Sequence, residues 1–252
     1  MLIDIIKNIT KLEKDIDISK LPSQGLFYPD DLEIKIKRVD KSKIIEYESD
    51  WKDGNIQFAI SKIKEIVRTN ISLSYNYTFE DVKSIDIVFL FLEIVNLTRG
   101  KNKIKIKHEV ALGMDVYIEF NKENFNYFDY SDHLKYYNEK EKCFEVNGYK
   151  YSLPTIGVEY SLTNFLASCS NDPKYANYFY DFTYFLGNRN HLSYKEVDNI
   201  IKAYNLDLSK DELEKAKNVI KMFSPFLIYS LNYEGNLIEL TSKLKLKDIF
   251  NF

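Results

Sequence analysis

The sequence predicts an α+β fold: a mixed N-terminal region of short antiparallel strands around a buried helix, then a mainly helical C-terminal region. Three observations predict it. Leu32-Glu33-Ile34-Lys35-Ile36-Lys37 and Lys103-Ile104-Lys105-Ile106-Lys107 alternate strictly between apolar and charged residues, which is the period of a half-buried strand. Ile87-Val88-Phe89-Leu90-Phe91-Leu92 is apolar on every side, the pattern of a helix buried all round. Late in the chain, Ser193 with Glu196 and Ser209 with Glu212 stand at capping-box spacing ahead of apolar residues at helical intervals.

Taken in order, the first twenty residues mix polar and apolar types without a clear period. The element Leu21-Pro22-Ser23-Gln24-Gly25-Leu26-Phe27-Tyr28-Pro29 follows. Its prolines hold φ near about −65°, and Gly25 supplies the freedom for a sharp turn. Leu26, Phe27 and Tyr28 offer a compact aromatic anchor. Two readings stand: a loop that docks on another protein through Leu21, Pro22, Ser23, Gly25, Phe27, Tyr28 and Pro29, or a loop that leads into the Leu32–Lys37 strand and is tucked onto its own domain. Nothing in it is built to react.

Asn55 to Arg68 reads as an amphipathic helix with Ile56, Ile60, Ile63 and Val67 on one stripe. A polar stretch from Ser72 to Thr78 separates it from a second helix, expected over Phe79 to Thr98 and stopped by Gly100. The Lys103–Lys107 strand is expected to pair with Met114–Phe120. Residues 121–141 are aromatic and charged without a period. Phe144 to Tyr151, with Asn147-Gly148 at its centre, predicts a hairpin, because both turn positions of a type I′ turn need positive φ.

The chain changes character at Pro154, which divides it into residues 1–152 and 153–252. Ser161 to Ser168 reads as helical. Asp172-Pro173 is a helix start, followed by Tyr175, Tyr178, Phe179, Phe182, Phe185 and Leu186 on one stripe and a stop at Gly187. That stripe and the two capped helices predict a small helical bundle. Leu237 to Leu246 returns to strand-like alternation, and no solenoid repeat occurs.

The composition bounds the function. The chain has 252 residues, 45% of them hydrophobic and 15% aromatic, with 20 Tyr and 17 Phe; only 8 Gly and 5 Pro leave no room for low-complexity linkers. The net charge of −3 argues against a nucleic-acid binder. The lysines of Lys101–Lys107 then read as the solvated face of an edge strand, where they discourage stray pairing. Cys143 and Cys169 form no CxxC pair and fit a reducing compartment. The start, Met1 to Lys7, carries Asp4 and is not expected to be a signal peptide. The longest apolar run, Ile85 to Leu97, is too short for a span and includes Asp86, Glu93 and Asn96. A soluble protein, intracellular when made, is expected.

No chemistry-bearing motif emerges. His108, His133 and His191 are scattered without metal-ligand spacing, and no phosphate-cradling glycine loop or nucleophile elbow occurs. Asp129 and Asp132 read as a solvated pair, and Cys143 has no histidine in sequence reach to activate it. No catalytic residue, cofactor or metal is expected.

The Leu-Pro-Ser-x-Gly-x-x-Tyr-Pro element, the alternating strand after it, the Ile-rich helix at 56–67 and the acidic Asp86 leading into the apolar helix 87–97 together resemble the T4-type phage baseplate hub family. The resemblance covers residues 15 to 110; the C-terminal half shares only general character. It implies a non-enzymatic component of a contractile tail baseplate, at or near the hub, or an assembly chaperone for the hub or tape-measure protein that is absent from the finished virion. The implied partners are other hub, wedge or tail tube proteins and the tape-measure protein, in a hetero-oligomeric assembly without nucleic acid or membrane. The implied location is the host cytoplasm during assembly and the tail baseplate afterwards.

Overall fold

The structure, a computed structural model, describes residues 12–49, 56–100, 104–111, 114–120, 128–168, 183–187, 189–207, 209–223, 230–233 and 236–239. Its class is α+β, with helices and small antiparallel sheets. The first sheet joins β1 (Glu13–Ile16), β2 (Ile34–Lys37) and β3 (Ile71–Leu73), with β2 in the centre and both pairings antiparallel. Alternation in β2 does what its period demands: Ile34 and Ile36 are buried while Lys35 and Lys37 face water. Those lysines pair across the strands with Asp15 and Glu13, each at 3.6 Å, in exposed contacts that contribute little to stability.

Helix α1 (Lys41–Ser49) leads to α2 (Ile56–Asn70), which buries Ile63, Ile66 and Val67 as its amphipathic pattern requires. β3 follows α2 directly, so the polar stretch expected from Ser72 begins inside a strand. Helix α3 (Ile87–Arg99) is the central element: every residue from Ile87 to Val95 is buried. It packs against both α2 and β2. Gly100 ends it at φ 66°, with its N–H donating to the Asn96 carbonyl at 2.9 Å. The one charged side chain in the apolar run of α3, Glu93, is paired with Lys14 from β1.

The helix expected over Phe79 to Thr98 is therefore shorter. Residues 79–81 and 84–86 form single 3-10 turns, with Val82 and Lys83 extended between them. The cause is tertiary. Lys83 bridges antiparallel to Thr155, with Ser84 N–H donating to the Pro154 carbonyl at 3.0 Å and Ile156 N–H to the Val82 carbonyl at 2.9 Å. Backbone groups engaged with another segment are not free for a helical ladder.

β4 (Ile104–Ala111) pairs antiparallel with β5 (Met114–Phe120), as the alternation predicted. A third sheet holds β6 (Tyr137–Asn138), β7 (Cys143–Val146) and β8 (Tyr149–Tyr151). Asn147 at φ 52° and Gly148 at φ 82° close the predicted β7–β8 hairpin. Helix α4 (Ile156–Ser168) packs on α5 (Tyr194–Asp207), while α6 (Lys210–Phe223) packs on β8. Both predicted capping boxes are formed: Glu196 accepts the Ser193 N–H at 2.9 Å and Glu212 that of Ser209 at 2.8 Å. β9 (Ser230–Tyr233) and β10 (Asn236–Glu239) make a final antiparallel pair. The Asp172-Pro173 helix start, most of the aromatic stripe from Tyr175, and the tail beyond residue 239 lie outside the described residues.

Among the described residues, three hydrophobic clusters hold the helices and the first and third sheets. The first is mainly aliphatic, with Tyr28, Phe79, Phe89 and Phe91 among its members, and is built on α2, α3 and the first sheet. The second is aromatic: Phe27, Tyr130, Phe144, Tyr151 and Phe223, with Leu153 and Val219. The third joins α4 to α5 through Val158, Leu162, Phe165 and Val197, with Leu192 of the preceding loop. Two of the three cross the 152/153 boundary, since Ile156 belongs to the first cluster and Leu153, Val219 and Phe223 to the second. Among the described C-terminal helices, α4 and α5 pair, and α6 completes the aromatic cluster. Gly157 marks how closely α4 is approached by the segment before α5. A Cβ there would fall 1.4 Å from the Asn190 carbonyl oxygen, so no larger residue fits.

Candidate functional site

The Leu21–Pro29 element folds into a compact series of turns. Gln24 N–H donates to the Leu21 carbonyl at 2.8 Å, Leu26 N–H to Ser23 at 3.2 Å and Tyr28 N–H to Gly25 at 3.2 Å. Gln24 and Gly25 both take positive φ, 55° and 72°. A side chain at position 25 would meet nothing closer than 3.5 Å, so the constraint on Gly25 is its backbone conformation, not space. Gln24 donates its side-chain amide to the Phe128 carbonyl at 2.6 Å.

The side chains of this element point into the protein. Leu21, Pro22, Ser23, Phe27 and Tyr28 are buried, and Gly25 and Pro29 are half-buried. Leu21 and Tyr28 enter the aliphatic cluster, whereas Phe27 enters the aromatic one. The Phe27 ring meets Tyr130 edge-on at 5.5 Å, Phe144 at 5.7 Å and Tyr151 at 6.3 Å. A docking role for Phe27 and Tyr28 would require both rings to leave these clusters. With exposures of 0% and 2%, neither ring is available to a neighbour in this conformation. In this conformation the element is an internal rivet between two cores.

Asp86 anchors the rivet. Its Oδ1 accepts the Ser23 N–H at 2.9 Å and its Oδ2 accepts the Tyr28 hydroxyl at 2.7 Å. The Tyr28 hydroxyl in turn accepts the Lys83 N–H at 2.8 Å, and Lys83 Nζ donates to the Leu153 carbonyl at 3.0 Å. Asp86 is 0% exposed and Lys83 1%. Burial away from water pushes the Asp86 carboxyl up to about 6, against the pull of its donors and of Lys83. Burial likewise brings the Lys83 amine down to about 7, against the attraction of Asp86 and Asp81. The Tyr28 hydroxyl lies well above its usual value, through burial first and the Asp86 charge second. Asp86 stands at the N-cap position of α3, yet its carboxylate makes no capping bond because both oxygens serve the turn.

The remaining candidates stay apart. His133 packs between the rings of Phe128 and Phe223, at 5.5 and 5.4 Å. His191 places Nδ1 3.2 Å from Ser161 Oγ. That hydroxyl already donates to the Gly157 carbonyl at 2.8 Å and accepts the Leu192 N–H at 3.0 Å, which makes it a helix-to-loop tie rather than an activated nucleophile. His108 lies in β4. Asp129 and Asp132 are exposed, and Asp129 accepts the Ser131 N–H at 2.9 Å, which holds its carboxyl below the ordinary value. Cys143 is buried and its thiol is pushed up by that burial, the opposite of activation. Glu141, Cys143 and Glu145 bring ligand atoms within 4.8 Å of one another. Lys150 pairs with both glutamates and already supplies the cation there. No helix among the described residues is long and apolar enough to cross a membrane.

Sequence reasoning reached the turn but not its anchor as a working unit. Asp86 was visible as a charge at the head of an apolar run, and Lys83 as a basic residue three positions before it; that pairing was the available signal. Compared with known proteins, the chain matches no family model, no curated protein and no solved structure.

Proposed function

We propose that this chain is a non-enzymatic structural component of a contractile phage tail baseplate, at or near the central hub, acting through protein–protein contacts. One observation carries the reading. The residues on which the resemblance rests, Ser23 and Tyr28 of the turn and Asp86 ahead of the apolar helix, are separated by about sixty positions in sequence yet meet in one hydrogen-bonded unit. Their meeting in one unit supports reading the matched positions as parts of a single structural element. The turn then marks the family's fold and not its interface. Contacts with hub, wedge, tube or tape-measure proteins fall on outward-facing residues such as Tyr75, 101% exposed, and Leu12, 70% exposed.

Mass spectrometry of purified particles encoded by the same genome tests this. The chain is expected in finished virions at a fixed ratio to other baseplate proteins. Its absence there, with binding to a hub or tape-measure protein during assembly, would replace the structural role with the chaperone role. Turnover of cell-wall polymer by the pure protein would overturn the non-enzymatic reading.

A further inference from the structure

Four hydroxyls lie in the interior where the Leu21–Pro29 turn joins the two cores. Ser23 belongs to the turn and places its N–H on Asp86 Oδ1. Ser84 shares a 3-10 turn with Asp86 and places its N–H on the Pro154 carbonyl. Tyr130, just before β6, and Tyr151 of β8 both set their rings against Phe27, at 5.5 and 6.3 Å. Ser23, Tyr130 and Tyr151 are 0% exposed. All four hydroxyl oxygens are shut off from solvent, and none meets a hydrogen-bond partner among the described residues. They are nonetheless neighbours. Burial raises the Tyr130 hydroxyl above its ordinary value, and the nearby Asp86 charge adds to that rise. The Tyr151 hydroxyl is raised by burial first and by Tyr130 second.

We propose that Ser23, Ser84, Tyr130 and Tyr151 enclose an internal hydration site, in which ordered water bridges their hydroxyls to the Asp86 carboxylate. A buried hydroxyl without a partner has given up its bonds to bulk water and gained nothing in return, so such groups are exceptions in folded chains. Here four of them, from separate segments, share one junction beside a carboxylate. Each hydroxyl can donate and accept. Each Asp86 oxygen takes one bond, from Ser23 or from Tyr28, and keeps a further lone pair. Water supplies both roles at the smallest size, and a buried water makes about three such bonds. It would tie the turn to the 84–86 segment and to the Tyr151 end of the hairpin. It would also add a donor to a carboxylate that Ser23 and Tyr28 already hold in its ionised form.

The first test uses the wild-type chain, so it does not depend on a variant folding. A crystal structure that orders solvent is expected to show water within about 3.2 Å of at least two of the four oxygens. Oxygens paired only with one another or with other protein groups would overturn the site, as would density for a metal ion in place of water. The second test uses Tyr130→Phe and Tyr151→Phe, which keep the rings and remove only the hydroxyls. Each is expected to lower the folded-to-unfolded ratio in urea roughly three- to tenfold, the scale of one lost hydrogen bond. A hydroxyl that truly lacked a partner predicts the reverse, because phenylalanine would then remove a buried polar atom at no loss. A ratio unchanged or raised in either variant would overturn the proposal.

Discussion

The aliphatic and aromatic clusters are built on different principles. The aliphatic cluster draws on long periodic elements: Ile63, Ile66 and Val67 from α2, the continuous run of α3, and Ile34 and Ile36 from β2. Most of its members are neighbours along a helix or alternate along a strand. The aromatic cluster gathers single rings from dispersed places: Phe27 from the turn, Tyr130 beside a 3-10 turn, Phe144 and Tyr151 from a hairpin, and Phe223 from the last turn of α6. Among its fully buried members no element contributes more than two, Val219 and Phe223 of α6. Its rings meet at defined angles, edge-on for Phe27 and Tyr130, and stacked for Tyr151 and Phe223 at 4.6 Å. A core made of repeats tolerates local loss, whereas one made of single contributions depends on each.

The largest test removes one ring from the dispersed cluster. Phe144 contacts Phe27, Tyr130, Tyr137 and Phe223 and is 0% exposed. Phe144→Ala is expected to cost about 3–5 kcal/mol, read as a lower urea midpoint. Because the Leu21–Pro29 turn is seated in both clusters, near-ultraviolet and far-ultraviolet circular dichroism are expected to report one coincident transition. Two separate transitions would show that the turn does not couple the cores. The matching change in the aliphatic cluster, Leu90→Ala, is expected to cost about 2–5 kcal/mol. Retained tyrosine and phenylalanine near-ultraviolet signal in the folded variant would confirm that its damage stays local.

A smaller effect is expected at the hairpin that presents Phe144 and Tyr151 to the cluster. Gly148→Ala places a Cβ on a residue at φ 82°, with open space around it, so the strain is in the backbone alone. The expected cost is about 1–2 kcal/mol. A stability unchanged from wild type would mean that the turn can change type without moving the rings. The smallest effect belongs to the cap of α6, which carries Val219 and Phe223. Ser209→Ala removes the hydroxyl that accepts the Glu212 N–H at 3.3 Å and is expected to cost about 1 kcal/mol, measured by thermal unfolding.

These two cores also explain what was legible. Elements with a repeating signal were readable from local sequence: the Leu32–Lys37 strand, α2, α3, the β4–β5 pair, the Asn147-Gly148 hairpin and both capping boxes. The extension of the second helix back to Phe79 was misjudged because Val82 and Lys83 are claimed by the 154–156 segment. β3 was missed because three residues carry no measurable period. The aromatic cluster was unreadable as a unit, since its members lie up to 196 positions apart, from Phe27 to Phe223, and single rings have no spacing to detect. The turn was recognised as a feature, but its direction was not: an apolar anchor beside prolines has the same sequence whether it faces a partner or its own core.

The sequence alone determined the secondary elements with a period, the caps and glycines that stop them, and a composition poor in catalytic signals. Those depend on interactions within a few residues, which local pattern records. Only the tertiary structure decided that Ser23, Tyr28, Lys83 and Asp86 form one buried network, that Phe27 faces inward, and that α6 joins the N-terminal rings. Each of those outcomes depends on which distant segment excludes water from a given side chain, and no local run of residues encodes that choice.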